Sequence, residues 1–422
     1  MFKANSVQGP YDFPYHVLGL HTVYPHFDMA SAAAESGRHA VDVPVLPSTT
    51  SYTHFCENFM AANKPCLIHG VAKSWKAWEE WRTKDGKLNR NAVMKAFQNC
   101  TVPVVKIDPA GQQSYGHATE TMLFQDFFGN HFPANPSNPG KQLNSTKYYL
   151  KDWHYAIDFK DELAYKTPSF FSDDWLNAWW EKGRRKEGDE NDRNSSNSDF
   201  KFLYLGAAST YTPLHHDVYK SYSWSASVCG RKRWILYHPD EEKNLKDKFN
   251  EVAPSGEWER LSEEQKRKFP MVKNVNRKIE ITQEAGDAIF VPSGWYHEVH
   301  NVENCLSINH NWFNGFNLEI VFEYLKSEWM STVNEIDDIR PLLANESDFL
   351  EEVQKLMHFN TGMNLVEFQK LICFMRDCIF KEEETSKQFT RKTLELIHKI
   401  HKEVEKLTNC PVGEKVVCKS VS

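Results

Sequence analysis

The chain has 422 residues, enough for one large domain with additions or for two domains, and its 41% hydrophobic and 25% charged content is ordinary for a globular protein. A formal charge of −7 excludes a general nucleic-acid binder, whose footprint is basic, and no run of about 18 apolar residues exists to span a membrane as a helix. The nine cysteines are scattered and include no CxxC pair, so neither a disulfide framework nor a zinc ribbon is expected; reduced thiols in a cytoplasmic or nuclear protein are.

Residues 1–42 are rich in His, Ala, Ser and Pro without a sustained period and lack the compact apolar core of a secretory signal. They read as a poorly ordered extension. Structure is expected from Val43. Ser51 precedes Phe55 and Phe59, four apart, which predicts a capped short helix over 51–60. Asn63-Lys64-Pro65 breaks it, and Cys66 to Gly70 reads as a strand closed by glycine. A helix carrying Trp75, Trp78 and Trp81 is expected next, then a strand over Val102–Ile107 and another carrying Tyr149.

Residues 183–199 are polar with almost no apolar side chain, the composition of a solvated loop. From Phe202 to Trp312 short apolar runs alternate with Gly, Pro and Asn: FLYLG, SWSASVCG, RWILYHP, IEITQEAG, DAIFVPSG, GWYHEVHN and CLSINHNW. Many short strands with close turn signals predict an antiparallel sandwich or barrel, with 241–270 charged and helix-prone between them. Beyond Asn317 the period changes to helical, with stripes at Leu318, Val321, Phe322, Leu325 and Trp329 and at Ile397, Ile400, Val404 and Leu407. Such stripes cover a core more often than they build a homodimer, and both outcomes are compatible with the pattern.

The chemistry concentrates in Thr212-Pro213-Leu214-His215-His216-Asp217. On an extended segment His215 and Asp217 point one way and His216 the other. In Trp295-Tyr296-His297-Glu298-Val299-His300 the same period sets His297 with Trp295 and Val299, the better candidates for an interior, and His300 opposite. Two imidazoles and a carboxylate make the facial triad of non-haem Fe(II) oxygenases, which leaves positions open for a 2-oxo acid and O₂. Zinc is the rival metal for such a set; no HExxH helix accompanies it here.

After Gly230, Lys232 shares a face with Trp234 and Leu236. A lysine inside a barrel is costly unless an anion pairs with it, and the far carboxylate of 2-oxoglutarate would be that anion. The alternative is a solvated basic turn of Arg231, Lys232 and Arg233. Thr212, Tyr149, Asn309 and Asn311 are hydroxyl and amide candidates for the same co-substrate, or satisfied structural groups.

TPLHHD, SYSWSASVCGRKRW, ITQEAGDAIFVPSGWYHEVHN and SINHNWFNGFN, with YYLKDWH and FFSDDWLNAWW upstream, together resemble the JmjC (jumonji C) hydroxylases over roughly residues 43–330. The resemblance implies an α+β fold with a mainly β core: a double-stranded β-helix, or cupin-like jelly-roll barrel, with flanking helices and a helical C-terminal region. With the composition and periods above, the domains expected are 1–42 (extension), 43–315 (catalytic, with the loop 183–199) and 316–422 (helical). The resemblance carries the catalytic iron ligands onto His215, Asp217 and His297, and the 2-oxoglutarate contacts onto Lys232, Thr212, Tyr149 and Asn311. Where several relatives have Asn ten residues after the first histidine, this chain has Ser225. The branch it most resembles acts on a lysine of the eukaryotic translation termination (release) factor, which makes that protein the implied partner. Removal of N-methyl groups from histone or other lysines, and a non-enzymatic cupin-like binder, are the competing functions. Against the first stands the absence of a Cys/His-rich reader module; against the second stand the triad and Lys232.

Overall fold

A computed structural model describes residues 43–107, 119–132, 147–160, 162–183, 199–381 and 387–408. The extension expected over 1–42 and nearly all of the loop expected over 183–199 lie outside them. The described residues form two compact units, one from 43–171 and 199–312, the other from 172–183 and 313–408.

The first unit holds β1 (Val45–Pro47), β2 (Cys66–His69), β3 (Thr101–Ile107), β4 (Glu120–Leu123), β5 (Lys147–Trp153), β6 (Lys201–Gly206) and β7 (Tyr211–His215). It continues with β8 (Tyr222–Cys229), β9 (Lys232–Tyr237), β10 (Lys278–Gln283), β11 (Ala288–Val291), β12 (Tyr296–Asn301) and β13 (Cys305–Trp312). Nine strands form a large sheet in the order β1-β2-β11-β8-β13-β6-β5-β3-β4, and four form a small one in the order β10-β9-β12-β7. Every pairing but β1–β2 is antiparallel. From β6 onward the chain passes repeatedly from one sheet to the other, the winding of a double-stranded β-helix.

The alternation within each strand sorts three layers. Trp234 and Leu236 of β9, with Trp295 and Val299, meet Leu67, Ile289 and Val291 of the large sheet in a closed apolar cluster between the sheets. Their neighbours Ile235, Tyr237 and Tyr296 point the opposite way, into a second cluster with Leu245, Ala253, Leu261, Phe269 and Val272 from the helix-prone insertion. That insertion supplies the short helices Glu242–Leu245 and Glu263–Lys268, the latter held by a Ser262/Gln265 capping box. The outer face of the large sheet is covered by aromatic rings: Phe171 stacks on Trp224 at 5.4 Å and Phe55 meets Phe290 edge-on at 5.1 Å.

Ser51 caps the first helix as expected, its Oγ accepting from the His54 amide at 3.2 Å, but the α-helix runs only over Tyr52–Phe55 before widening into a π-turn over Cys56–Met60. The tryptophan segment is helical only over Lys76–Glu80. Trp75 and Trp81 stand at its ends because their rings serve the aromatic layer, against Trp224 and Phe97, and not one helical stripe.

The second unit contains helices Leu318–Glu335, Glu346–Thr361, Leu365–Lys381 and Lys387–Thr408. Stripe residues Leu318, Val321, Phe322, Leu325, Ile397, Ile400 and Val404 are buried within this single chain. Gly362, at φ 81°, ends the second of these helices in the left-handed conformation that glycine adopts without penalty. No helix among the described residues is long and apolar enough to cross a membrane.

Candidate metal centre

β7 and β12 are neighbours in the small sheet, and their register sets His215 directly opposite His297. The two rings lie 4.3 Å apart between centroids. Asp217 follows the end of β7 on an extended residue, φ −67° and ψ 156°, which keeps it on the side of His215 although the strand has stopped. One ligand atom from each of these three side chains lies within 4.8 Å of the others, the His297 Nε2 to Asp217 Oδ2 distance being 3.9 Å. They are the group among the described residues that can hold a metal ion.

The hydrogen bonds behind the rings select the ligand atoms. His215 Nδ1–H donates to the Pro213 carbonyl at 2.7 Å, and His297 Nδ1–H donates to the Trp295 carbonyl at 3.2 Å. Both imidazoles therefore turn Nε2 toward Asp217 and keep the tautomer a metal requires. Burial, with His297 and Lys151 adding, holds His215 well below the usual imidazole range, so it stays neutral. Ser223 Oγ donates to Asp217 Oδ2 at 2.7 Å, which orients the carboxylate. The Trp234 indole lies along the His297 ring at 5.7 Å and shields its flank. Three ligands gathered on one side suit an octahedral ion with open positions opposite.

The neighbouring histidines are engaged elsewhere. His216 donates through Nδ1 to the Asp217 carbonyl and sets its ring edge-on to Tyr296. His300 stacks on Tyr211 and lies 3.4 Å from Glu298, a buried carboxylate that also accepts from Tyr237 at 2.6 Å and from Ser255. That network ties β12 to β9 and to the insertion on the far side of the sheet.

Lys232 is 2% exposed and faces the interior opposite Asn301 of β12. Among the described residues its ammonium meets no carboxylate. A buried cation left this way fits an anionic ligand, so the donor set suits both a metal and a carboxylate-bearing co-substrate. Tyr149 and Thr212 belong to this end: Tyr149 pairs with Gly206, which abuts Asn301, and Thr212 stands opposite Val299, next to Asn301 along the inner face. Asn311 lies at the other end, opposite Ser223 and 3.4 Å from Ser221 Oγ. The four co-substrate candidates thus divide: Lys232, Tyr149 and Thr212 stand at one end, and Asn311 stands at the end of Asp217.

Sequence reasoning missed several groups at the site. Ser223 shared the parity of Ser225 and was open to inference. Asn301 and Thr210, joined by a 2.8 Å hydrogen bond, were not. At the far edge, β5 bulges between Leu150 and Trp153, and Asp152 sits there at φ 60° accepting from Tyr204 at 2.5 Å.

A Cβ built on Gly206 would lie 2.2 Å from Asn301 Nδ2, 2.6 Å from Thr210 Oγ1 and 2.8 Å from the Tyr149 ring. Gly206→Ala must therefore push apart the wall that carries Tyr149. Overpacking of this kind costs about 1–3 kcal/mol, a melting temperature lower by roughly 2–12 °C in a unit of this size. Thermal unfolding measured beside 2-oxoglutarate affinity checks it; both values unchanged would show that the wall yields freely.

Comparison with known proteins matches residues 52–318 to the cupin-like domain family. The chain is 35% identical to an Arabidopsis thaliana protein named arginine-specific demethylase JMJ20, over 75% of this chain and 66% of that one. It is 34% identical to the 2-oxoglutarate and iron-dependent oxygenase JMJD4 of Danio rerio, over 76% of this chain and 71% of that one. The human protein of the same name is 32% identical over 80% and 76%.

Proposed function

The chain belongs to the cupin-like, JmjC-type family of 2-oxoglutarate- and iron-dependent oxygenases, and on that premise we propose that it hydroxylates a lysine side chain of the eukaryotic translation termination factor. The observation that carries the oxygenase chemistry is the pairing of two Nε2-presenting imidazoles and one carboxylate with a buried, carboxylate-free Lys232 in the same interior. The lysine and the termination factor are supported by the branch that the motifs around His215 and His297 resemble.

Each residue has a part in this reading. His215, Asp217 and His297 hold the metal, and Ser223 fixes the carboxylate. Lys232 takes the far carboxylate of 2-oxoglutarate, with Thr212 and Tyr149 beside it. Trp234 and the apolar cluster behind it keep water from one wall of the site. When bound, iron and 2-oxoglutarate supply the oxidising power: one oxygen atom of O₂ enters a substrate C–H bond, and the other leaves in succinate as CO₂ is released.

The test is incubation of the full chain with purified termination factor, Fe(II) and 2-oxoglutarate, followed by peptide mass analysis. One oxygen added to a lysine-bearing peptide, matched by succinate, is the expected result. A second reading, demethylation of an N-methylated arginine, is favoured by the name of the Arabidopsis relative. A methyl group lost from methylarginine, with no oxygen retained on lysine, would establish that reading and overturn the first.

A further inference from the structure

β5 breaks its alternation close to the metal centre. Tyr149 pairs with Gly206, Leu150 with Leu205 and Trp153 with Leu203. Two residues, Lys151 and Asp152, therefore stand opposite the single residue Tyr204, the count of a β-bulge. The flanking side chains keep their outward places: Leu150 and Trp153 are buried, and Trp153 meets Phe97 edge-on at 5.1 Å in the aromatic layer. Asp152 takes up the extra length at φ 60°, a left-handed conformation that aspartate tolerates better than most residues. Its carboxylate is on the side of Tyr204, whose hydroxyl donates to Oδ1 at 2.5 Å.

That side is the interior. Tyr204 lies opposite Ser307 of β13 and Phe202 opposite Asn309, on the face that continues to Ser225 and Ser223 of β8. Leu203 and Leu205, on the outer face of the same strand, are fully buried, whereas the rings of Phe202 and Tyr204 are partly exposed. β6 runs between β13 and β5 and has no free edge, so both rings border the opening of the site. Their centroids are 6.3 Å apart. The charge of Asp217 is felt at the Tyr204 hydroxyl, and that of Lys151 at the His215 ring, which puts the bulge beside the triad.

A carboxylate next to aromatic faces is an arrangement that receives an ammonium group. Tyr204 occupies Oδ1, so Asp152 presents mainly Oδ2. A single oxygen suits the compact ammonium of lysine better than a guanidinium, whose fork pairs with both oxygens at once. Oδ2 also lies 3.4 Å from Lys151 Nζ, in a partly exposed pair of the kind that contributes little and yields to a competing cation. We propose that Asp152 is a specificity-determining residue that takes the ammonium of the substrate lysine, with Tyr204 positioning its carboxylate and Phe202 lining the path of the methylene stem. This rests on the reading above, in which the substrate group is a lysine side chain.

The test uses the full chain loaded with Mn(II) and 2-oxoglutarate, in which the paramagnetic ion broadens the proton resonances of a molecule bound beside it. Three probes are compared: N-acetyl-lysine methylamide, its norleucine counterpart, which keeps the stem and lacks the ammonium, and its arginine counterpart. The lysine probe is expected to bind about tenfold or more tightly than norleucine, as a hydrogen bond to a charged group provides, and more tightly than arginine. Asp152→Asn keeps the shape and tolerates the same backbone conformation. It is expected to lose about tenfold in lysine affinity, with the affinities for Mn(II) and 2-oxoglutarate unchanged. Tyr204→Phe keeps the ring and frees Oδ1, so the preference for lysine over arginine should narrow, a ratio that a purely structural tyrosine would not move. No broadening of the lysine probe by the unaltered protein, lysine affinity within twofold of it in Asp152→Asn, or norleucine or arginine bound as tightly as lysine would overturn the proposal. No termination factor is present, so its failure as a substrate and the failure of Asp152 as a lysine receptor are read separately.

Discussion

Asp217→Ala is expected to abolish turnover and to weaken Fe(II) or Mn(II) binding by well over about 100-fold, beyond the 10- to 100-fold typical of partners that only support a ligand. The size follows from the geometry. His215 and His297 are cross-strand neighbours whose Nε2 atoms converge, and Asp217 provides the third ligand and the only negative charge of the set. Without it, two neutral imidazoles remain, a poor site for a hard divalent ion. Ser223→Ala is the graded companion: it removes the 2.7 Å hydrogen bond to Asp217 and leaves every ligand in place, so a loss of about tenfold in metal affinity is expected. Metal titration followed by electron paramagnetic resonance of Mn(II) measures both. If Asp217→Ala binds metal and turns over like the unaltered protein, the triad is assigned to the wrong residues.

Lys232→Met is expected to act with opposite signs on two measurements. Affinity for 2-oxoglutarate should fall by about 100-fold, since a buried charge partner of a carboxylate contributes roughly 2–5 kcal/mol. The ligand-free protein should become more stable, by about 1 kcal/mol or more, because methionine fills the same apolar space without burying an ammonium that has no carboxylate beside it. Trp234 on the same face of β9 already makes the surroundings suitable for an apolar side chain. Thermal unfolding with and without 2-oxoglutarate separates the effects: the variant should melt higher alone and gain almost nothing from the ligand. A variant that melts lower and still responds to 2-oxoglutarate would show that Lys232 serves packing only.

These expectations rest on two kinds of knowledge. The face of each strand was legible from the amino-acid order, because side chains alternate with a period of two and each residue's neighbours i±2 are known. That rule set Lys232 with Trp234 and Leu236, chose His297 over His300, and turned His216 away from Asp217; the clusters on the two sides of the small sheet have this arrangement. It also located, as short apolar runs, seven of the eight strands from β6 to β13, whose turns are marked locally; the eighth, β7, is the ligand-bearing segment. Local signals were weaker where a segment serves a neighbour, as in the tryptophan stretch, which follows the needs of the aromatic layer and not its own helical period.

The amino-acid order determined which side chains look inward, and through its motifs it determined the class of chemistry, iron with 2-oxoglutarate. Which inward-looking side chains meet was decided by the tertiary structure. The pairing of His215 with His297 joins residues 82 positions apart through a β7–β12 register, and no local property of either strand encodes it. The same holds for Ser225 and Asn309, for Gly206 beneath Tyr149 and Asn301, and for the separation of Asn311 from Lys232. Register is a collective choice, made when two sheets bury one apolar cluster together. The orientation of each imidazole follows from it, because the carbonyls of Pro213 and Trp295 take up their positions only once the strands are paired.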